Sequence, residues 1–336
     1  TRNREIRRYE GRRMQHVENS SKLESFGNLR NGGDVPLQFD FTRIMRKSTK
    51  KNVTLEELGY EYKRIGEKTL LRAIYNENWG FKWRGQKHYN ALSKAMLKEV
   101  KRRMLEQGLS EETRSDRTTI LKSKDVETAA QVLVLIQGSG KVRPGTWANS
   151  VCINHDLESG AMMTAVARAR KNGWGVLVLD PNSARDCINH TVDSWDSYIS
   201  NSKAASNGQV LVIAHSNGGR CVMGLLKNRE ESVLRECKRI AFTDAVHWKV
   251  RTLSKDAKSF LKSNSIDWVA SEKPLDTPLK YACQEDDMKK ALKKYCTPYR
   301  GFGVGDPIPI RSAGHTEHVW TTGKALNSVF DYLESK

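Results

Sequence analysis

The run from Val212 to Gly219 constrains the fold of this chain more than any other feature. It reads Val-Ile-Ala-His-Ser-Asn-Gly-Gly, an apolar stretch that ends in a serine framed by small residues. This pattern is typical of a nucleophile elbow, in which a buried strand turns sharply into a helix and lifts the serine hydroxyl above the sheet. Small residues are needed there because larger side chains would collide with the neighbouring strand and helix. Ala214 stands where glycine is usual, and a serine that merely caps a helix is the alternative interpretation.

The order of polar residues after the elbow matches a hydrolase triad. Asp244 and Asp276 follow Ser216, and His315 and His318 lie near the end of the chain. Serine, acid and histidine come in this order in α/β-hydrolases. In that chemistry Ser216 is the nucleophile, a histidine takes its proton, and an acid holds the imidazole in the right tautomer. Position alone leaves both histidines and both acids open, and Asp276, which follows the next strand, has the more usual place for the acid.

A glycine-bounded loop supplies the remaining element of such a site. The backbone amide of Asn217 and one from Gly138, Ser139 or Gly140 are the candidates for an oxyanion hole. Glycine allows the close backbone approach that a substrate oxygen requires, although a tight turn without a ligand would look the same. This chemistry needs no cofactor, and no Cys/His spacing indicates a metal site. His247, three residues beyond Asp244, is either a partner of that acid or a structural histidine.

Apolar runs and helical patterns alternate from residue 131 to the end of the chain. Buried strands are predicted at 132–136, 176–179, 210–214, 239–242, 266–269 and 308–310, with helices at 161–169, 191–202, 219–226 and 324–333. Continuous apolar strands that alternate with helices are typical of a parallel sheet covered on both faces. The sequence therefore predicts an α/β fold, a mostly parallel α/β-hydrolase-like sheet, over residues 127–336.

Residues 53–126 are predicted to form a helical accessory unit in front of this domain. Thr54 and Glu57 form a capping box, which predicts a helix that continues through Tyr60. A second helix is indicated by apolar residues at helical spacing between Tyr89 and Met104.

The N-terminal third of the chain carries most of its excess positive charge. The whole chain has a net charge of +18, and residues 1–125 contain 29 Lys and Arg against 17 Asp and Glu, a net charge of +12. Attraction to a polyanion is one consequence, and simple solubility is the alternative. Residues 1–52 are predicted to be an extended basic arm that orders only on a partner. The candidate nucleic-acid contacts in this arm are Arg2, Arg4, Arg7, Arg8, Arg12, Arg13, Arg43, Arg46, Lys47, Lys50 and Lys51.

The six cysteines indicate a reducing compartment. They show no C-x-x-C pair, so we interpret them as reduced thiols of the core rather than as a disulfide framework. No run of the sequence has the length of a membrane span. We therefore expect a protein of a mitochondrial or other organellar matrix, or of the nucleus, and not a secreted or membrane protein.

An ordered series of short motifs extends over residues 53–335. The stretch 136–147 reads Ile-Gln-Gly-Ser-Gly-x-Val-Arg-Pro-Gly-x-Trp. Further motifs are Thr54-Leu55-Glu56-Glu57-Leu58-Gly59-Tyr60, Ile153-Asn154-x-Asp156-Leu157, Leu179-x-Pro181-Asn182, Ala214-His215-Ser216-x-Gly218-Gly219, Thr243-Asp244-x-Val246-His247 and Trp268-Val269-x-Ser271-Glu272-x-Pro274-Leu275-Asp276. Together they resemble the argonaute-binding-protein domain family. Similar domains occur in a fission-yeast small-RNA complex, in a metazoan cotranscriptional regulator and at the C-terminus of some fungal histone deacetylases.

The resemblance implies an α/β-hydrolase fold, favours His318 over His315, and strengthens Asp244 as the acid because Asp244 lies in a matched motif. Members resemble scaffolds of RNA-silencing and chromatin complexes, which implies RNA or RNA–protein complexes and other proteins as partners. The sequence thus favours a hydrolase-fold scaffold subunit of an RNA–protein assembly, docked through its basic N-terminal region. An organellar ribosome, another ribonucleoprotein or an RNA-silencing complex would fit. The alternative is an active serine hydrolase of the esterase or thioesterase type that uses Ser216, His318 and Asp244 on an unidentified small molecule.

Overall fold

The computed structural model describes residues 53–114, 117–247, 250–279 and 307–335. The basic arm predicted at 1–52 lies outside these ranges. The described strands are β1 (Tyr60–Ile65), β2 (Lys68–Ala73), β3 (Leu109–Thr113), β4 (Thr119–Ser123), β5 (Val132–Ile136), β6 (Gly175–Val178), β7 (Val210–His215), β8 (Cys237–Thr243), β9 (Ser265–Val269), β10 (Pro278–Leu279) and β11 (Ile310–Ser312).

The described helices surround a large sheet. They are α1 (Gln86–Glu106), α2 (Asn149–Asn154), α3 (Leu157–Gly160), α4 (Met163–Lys171), α5 (Cys187–Tyr198), α6 (Lys203–Ser206), α7 (Gly218–Asn228), α8 (Glu230–Glu236), α9 (Lys255–Asn264) and α10 (Thr321–Glu334). Single 3-10 turns lie at Glu56–Leu58, Val250–Thr252 and His318–Trp320. Within the described ranges, no helix combines the length and the apolar character that crossing a membrane requires.

Nine strands form one mixed, mostly parallel sheet. Their order is β10-β11-β9-β8-β7-β5-β6-β4-β3. The six strands from β11 to β6 run parallel, whereas β10 on one side and β4 and β3 on the other run antiparallel to their neighbours. This is the α/β-hydrolase-like fold that the sequence predicts.

Both faces of the sheet are covered, which explains why its central strands are apolar throughout. All five residues of β5 and all six of β7 are buried. Val134 and Val212 belong to a core that includes Trp195 of α5 and Val222 of α7. On another part of the sheet α10 packs against β8 and β9, and α4 packs against β6. A strand with core on both sides cannot alternate apolar and polar residues, so a continuous apolar run marks it.

The capping box at Thr54 forms, but the helix predicted after it lasts a single turn. Thr54 N lies 3.1 Å from Glu57 Oε2, and Glu57 N lies 3.2 Å from Thr54 Oγ1. Gly59 then ends the turn with a left-handed φ of 85°, and β1 and β2 pair as an antiparallel hairpin. The prediction of a helix through Tyr60 was wrong because two hydrogen bonds at a helix start do not outweigh the pairing of two strands.

Two strands of the predicted accessory unit belong to the large sheet. β3 pairs with β4, and β4 pairs with β6. In β4, Ile120 and Leu121 are fully or almost fully buried. The boundary that the sequence analysis placed at residue 126 therefore lies between two strands of one sheet, β4 and β5. The second helix of the unit, by contrast, is present as α1.

Candidate active site

Ser216 lies in a sharp, left-handed turn between β7 and α7. Its φ is 53°, a backbone conformation that costs energy for a residue with a side chain. Ser216 N donates to Thr243 O at 3.1 Å, and Ser216 O accepts from Val246 N at 2.8 Å and from Gly219 N at 3.1 Å. Three backbone hydrogen bonds thus hold the serine in this turn. This is the geometry that a nucleophile elbow requires.

The glycines that follow the serine are required by close contacts. A Cβ at Gly218 would lie 2.7 Å from Ile136 O, and a Cβ at Gly219 would lie 2.8 Å from Ala245 Cβ. Either atom would force the elbow away from the neighbouring strands. The small residues of the motif are therefore explained by packing between the elbow and the ends of β5 and β8.

His318 and Asp244 are hydrogen-bonded to each other. The distance from His318 Nδ1 to Asp244 Oδ2 is 2.5 Å, and both side chains are partly buried. Asp244 directly follows β8, has a φ of 47°, and donates its amide to Trp268 O at 2.8 Å. Because Asp244 occupies Nδ1, the other ring nitrogen, Nε2, is the one that can accept a proton.

His215 is a buried support for the His318 ring. The two rings stack with their centroids 4.7 Å apart and their planes 28° apart. His215 Nδ1 lies 2.9 Å from Thr243 O and 3.1 Å from Thr322 Oγ1. Since a carbonyl oxygen only accepts, Nδ1 carries the hydrogen. Burial lowers the pKa of His215 to about 3, so this ring stays neutral beside His318.

The carboxylate of Asp276, the alternative acid, is hydrogen-bonded to residues outside the elbow. Its Oδ1 accepts from Trp268 Nε1 at 2.7 Å, and its Oδ2 accepts from Ser328 Oγ at 2.6 Å. His315 accepts the amide of Glu317 on its Nδ1 at 3.0 Å. The structure therefore places Asp244 and His318 together next to the elbow. Asp276 instead links β9 to α10 through its two hydrogen bonds.

The glycine loop after β5 lies directly against Ser216. A Cβ at Gly138 would lie 2.8 Å from Ser216 Cβ and 3.3 Å from Ser216 Oγ. The loop is held by Asn182, whose Nδ2 donates to Gly138 O at 2.7 Å and to Val142 O at 3.2 Å. Asn217 precedes the first residue of α7. These positions fit an oxyanion site built from the amides of Asn217 and of the loop at Gly138 and Ser139, which stays a prediction.

His247 pairs with Asp267 rather than with Asp244. The distance from His247 Nε2 to Asp267 Oδ2 is 2.7 Å, and both side chains are fully buried. Asp267 Oδ2 also accepts the amide of Ala245 at 3.3 Å, so this carboxylate supports the turn that carries Asp244. Burial raises the pKa of Asp267, and the hydrogen bond from His247 opposes that shift. Sequence spacing suggested a local partner for His247, but the neighbouring strand β9 provides the actual one.

Comparison with known proteins identifies the family of this chain. The model of the Arb2 domain matches residues 51–185 and 182–275, which together are well over half of the chain. The chain belongs to the Arb2 domain family. The match contains Ser216 and Asp244, whereas Asp276 and His318 lie beyond its last residue.

Two curated relatives are similar to this Arb2 domain over most of their length. The cotranscriptional regulator ARB2A homologue of Dictyostelium discoideum is 28% identical over 333 residues, which cover 83% of this chain and 79% of the relative. The human cotranscriptional regulator ARB2A is 27% identical, over 89% of this chain and 85% of its own. Among solved structures, a hormone-sensitive lipase from a metagenome library is 12% identical, covers 75% of this chain and 91% of its own, and has a TM-score of 0.40.

Acid should destabilise this Arb2 domain through its buried neutral histidines. His88 is fully buried between aromatic rings, and burial lowers its pKa to about 4. The unfolded chain has a histidine pKa near 6.5 and so binds the proton first as the pH falls. Stability is therefore lost below about pH 6.5, by ~2 kcal/mol per such histidine at pH 5.

In urea titrations of a His88→Phe variant, the difference in unfolding free energy from the parent should shift in favour of the variant between pH 7 and pH 5. A constant difference would contradict the neutral state of His88.

Proposed function

We propose that this Arb2 domain is a serine hydrolase that cleaves an ester or thioester of a small acyl group. The observation that carries the proposal is the His318–Asp244 hydrogen bond of 2.5 Å beside a serine held in a left-handed elbow. A strained serine costs stability, and such strain is typical of catalytic sites. A serine that only capped α7 would need neither the strain nor a paired histidine and acid nearby.

In the proposed reaction, Ser216 Oγ attacks the acyl carbonyl while His318 Nε2 takes the serine proton. Asp244 stabilises the imidazolium that forms and keeps hydrogen on Nδ1. The amides of Asn217 and of the loop at Gly138 and Ser139 would donate to the oxygen that becomes negative. His318 then returns the proton to the leaving alcohol or thiol. A water molecule, activated by the same histidine, releases the acyl group from Ser216.

The neighbours of this pair suit the reaction. His215 stacks on His318 and has a pKa of about 3, so it adds no positive charge when His318 becomes protonated. The stacked ring also fixes the plane of His318. Asn182 Nδ2 donates to Gly138 O and to Val142 O and so holds the loop whose amides would be the oxyanion donors. Positioned donors and a fixed base are worth more in catalysis than mobile ones.

A fluorophosphonate probe tests the proposal directly. Ser216 should displace fluoride and become phosphonylated, and labelling should disappear in Ser216→Ala. Ser110→Ala, which removes an exposed hydroxyl on β3, is the matched control and should label fully. If the folded protein takes no label, or if Ser216→Ala labels like the parent, the hydrolase proposal fails.

Docking to an RNA–protein assembly is a second candidate function, supported by the net charge of +12 in residues 1–125. The relatives are named cotranscriptional regulators, which supports a regulatory role and, between the two expected compartments, the nucleus. Binding to RNA that neutralises several phosphates should weaken steeply with salt. A fluorescence titration against single-stranded RNA should give a log–log slope of roughly −0.7 for each phosphate contacted. A flat slope would remove this candidate and leave the hydrolase proposal untouched.

Deletion of residues 1–52 is expected to separate docking from folding. The described core lies in residues 53–335, so the shortened chain should melt within a few degrees of the parent and should lose its affinity for RNA. Unfolding of the shortened chain would mean that the arm is part of the core. Full RNA affinity in a folded, shortened chain would place the binding surface elsewhere.

A further inference from the structure

Two tryptophan side chains are exposed to solvent in the segment between β2 and α1. The exposed fraction is 50% for Trp83 and 37% for Trp79, whereas Trp147, Trp174 and Trp268 are almost fully buried. Tryptophan is on average a highly buried residue, although single exposed apolar side chains are common on protein surfaces. Two exposed indoles this close in the chain form an apolar surface of the kind that contacts a ligand or a partner.

Trp83 is held in place by a cluster of aromatic rings. The ring of Phe81 contacts Trp83 edge-on, with centroids 6.4 Å apart, and stacks on the buried His88 at 6.3 Å. Tyr89, in the first turn of α1, lies 5.6 Å from Trp83 between ring centroids. A ring that is fixed by its neighbours loses little freedom when a flat partner stacks on its exposed face.

Cations surround the exposed rings. Lys82 Nζ lies 6.0 Å from the centroid of the Trp79 ring. Trp79 packs edge-on against Tyr75 at 5.8 Å, and Arg84 Nη2 donates to the Tyr75 hydroxyl at 3.0 Å. The chain from residue 78 to residue 98 contains five Lys or Arg and no Asp or Glu. Glu77, the acid just before this segment, is ion-paired to a lysine of β1 at 3.2 Å. The surface that carries the two indoles is therefore positively charged.

Exposed indoles beside cations match the chemistry of an unpaired nucleic-acid strand. A base presents a flat π face that stacks on an aromatic ring, and the phosphates pair with Lys and Arg. In a duplex the bases already stack on one another, so only a single strand or a loop offers this face. We propose that Trp79 and Trp83 form a stacking surface for single-stranded RNA, with exposed Lys82 and Lys87 on its phosphates.

This assignment rests on the proposed docking to an RNA–protein assembly and is independent of the hydrolase proposal. It adds a surface that contacts bases to the basic arm, which would contact phosphates. One base stacked on an aromatic side chain is worth roughly 5- to 150-fold in affinity. Two stacked bases are too few to retain RNA without the arm, so deletion of residues 1–52 is still expected to abolish binding.

A comparison of two oligomers with the full-length chain tests the stacking surface. Fluorescence anisotropy gives the affinity for a short oligouridine and for an abasic oligomer of the same length, which has the phosphates but no bases. The parent should bind oligouridine more tightly. Trp83→Ala should weaken oligouridine binding roughly 5- to 150-fold and leave abasic binding unchanged. Trp83→Phe keeps a ring at this position and should retain most of the affinity, which separates lost stacking from lost folding.

The dependence on salt separates the indoles from the cations. Trp83→Ala should leave the log–log salt slope unchanged, since the same phosphates are contacted. Lys82→Gln should weaken the binding of both oligomers and reduce the slope by roughly 0.7. Leu105→Ala, at an exposed leucine near the opposite end of α1, is the matched control for loss of an exposed apolar side chain and should bind both oligomers like the parent.

Photo-crosslinking to an oligomer that contains 4-thiouridine provides a second measurement. Peptide mapping should place a crosslink within residues 79–89. Equal affinity of the parent for the two oligomers, unchanged oligouridine binding by Trp83→Ala, or crosslinks confined to residues 1–52 would overturn the stacking surface and leave docking through the arm in place. A parent that binds neither oligomer at low salt would remove the docking candidate as well.

Discussion

Asp244→Asn should lower the rate of ester hydrolysis about 10⁴-fold, the size of effect that the loss of the orienting acid has in serine-hydrolase triads. An asparagine amide at this position would donate to His318 Nδ1 and move the imidazole hydrogen to Nε2. That nitrogen could then no longer accept the proton of Ser216. The measurement is kcat for a nitrophenyl ester that the parent cleaves, with circular dichroism to verify that the variant is folded.

Asp276→Asn is the matched control, because position alone gives either carboxylate the role of the acid. The Asp276 carboxylate accepts from Trp268 Nε1 and from Ser328 Oγ. Loss of part of this pairing should cost ~1–3 kcal/mol of stability and leave most of the activity. The reverse result, an inactive but stable Asp276→Asn beside an active Asp244→Asn, would assign the role of the acid to Asp276.

Gly138→Ala should reduce kcat roughly 10²- to 10³-fold, the effect of losing one oxyanion donor. The added Cβ would lie 2.8 Å from Ser216 Cβ and 3.2 Å from His215 Cδ2. Neither neighbour can move easily, since Ser216 is held by three backbone hydrogen bonds and His215 is buried. The loop must therefore retreat from the nucleophile, and overpacking of this kind costs ~1–3 kcal/mol in stability.

Gly80→Ala is the control for the glycine substitution. A Cβ there would lie 3.3 Å from the terminal Nη1 of Arg72, which is the flexible end of a long side chain. Activity and melting temperature should stay close to those of the parent. Hydrolysis by Gly138→Ala at the parental rate would show that the loop does not contribute to the oxyanion site.

The large sheet could be predicted from the sequence because its central strands carry a local signal. Strand β5 has the predicted bounds, 132–136, and the predicted β7 ends one residue early, at Ala214. Every residue of such a strand is buried, so the apolar run and the strand coincide. The β1–β2 hairpin was missed because a capping box resembles a helix start, although Thr69, Leu71 and Ala73 alternate in the pattern of a strand.

Pairings between distant residues could not be predicted in the same way. Nothing near His247 in the sequence indicates that Asp267 is its partner, because β9 brings the two together only in the folded sheet. Asn182 stood in a recognised motif without a role, and its amide proved to hold the loop after β5. For the same reason, the sequence could not decide which carboxylate pairs with the histidine. The order of residues allowed two carboxylates, and only the fold determines which of them meets His318.

The order of strands also bears on how the protein is made. Of the strands of the large sheet, the ribosome releases β3 and β4 first, but β4 pairs with β6, and the opposite edge of the sheet waits for β11. His318 comes six residues after the end of β11 and begins the 3-10 turn that leads into α10, which packs against β8 and β9. During synthesis the elbow and Asp244 are therefore complete long before their histidine arrives. The apolar surface of β8 and β9 that α10 covers stays exposed until α10 has emerged from the ribosome, and such exposed surface makes a nascent chain prone to aggregation.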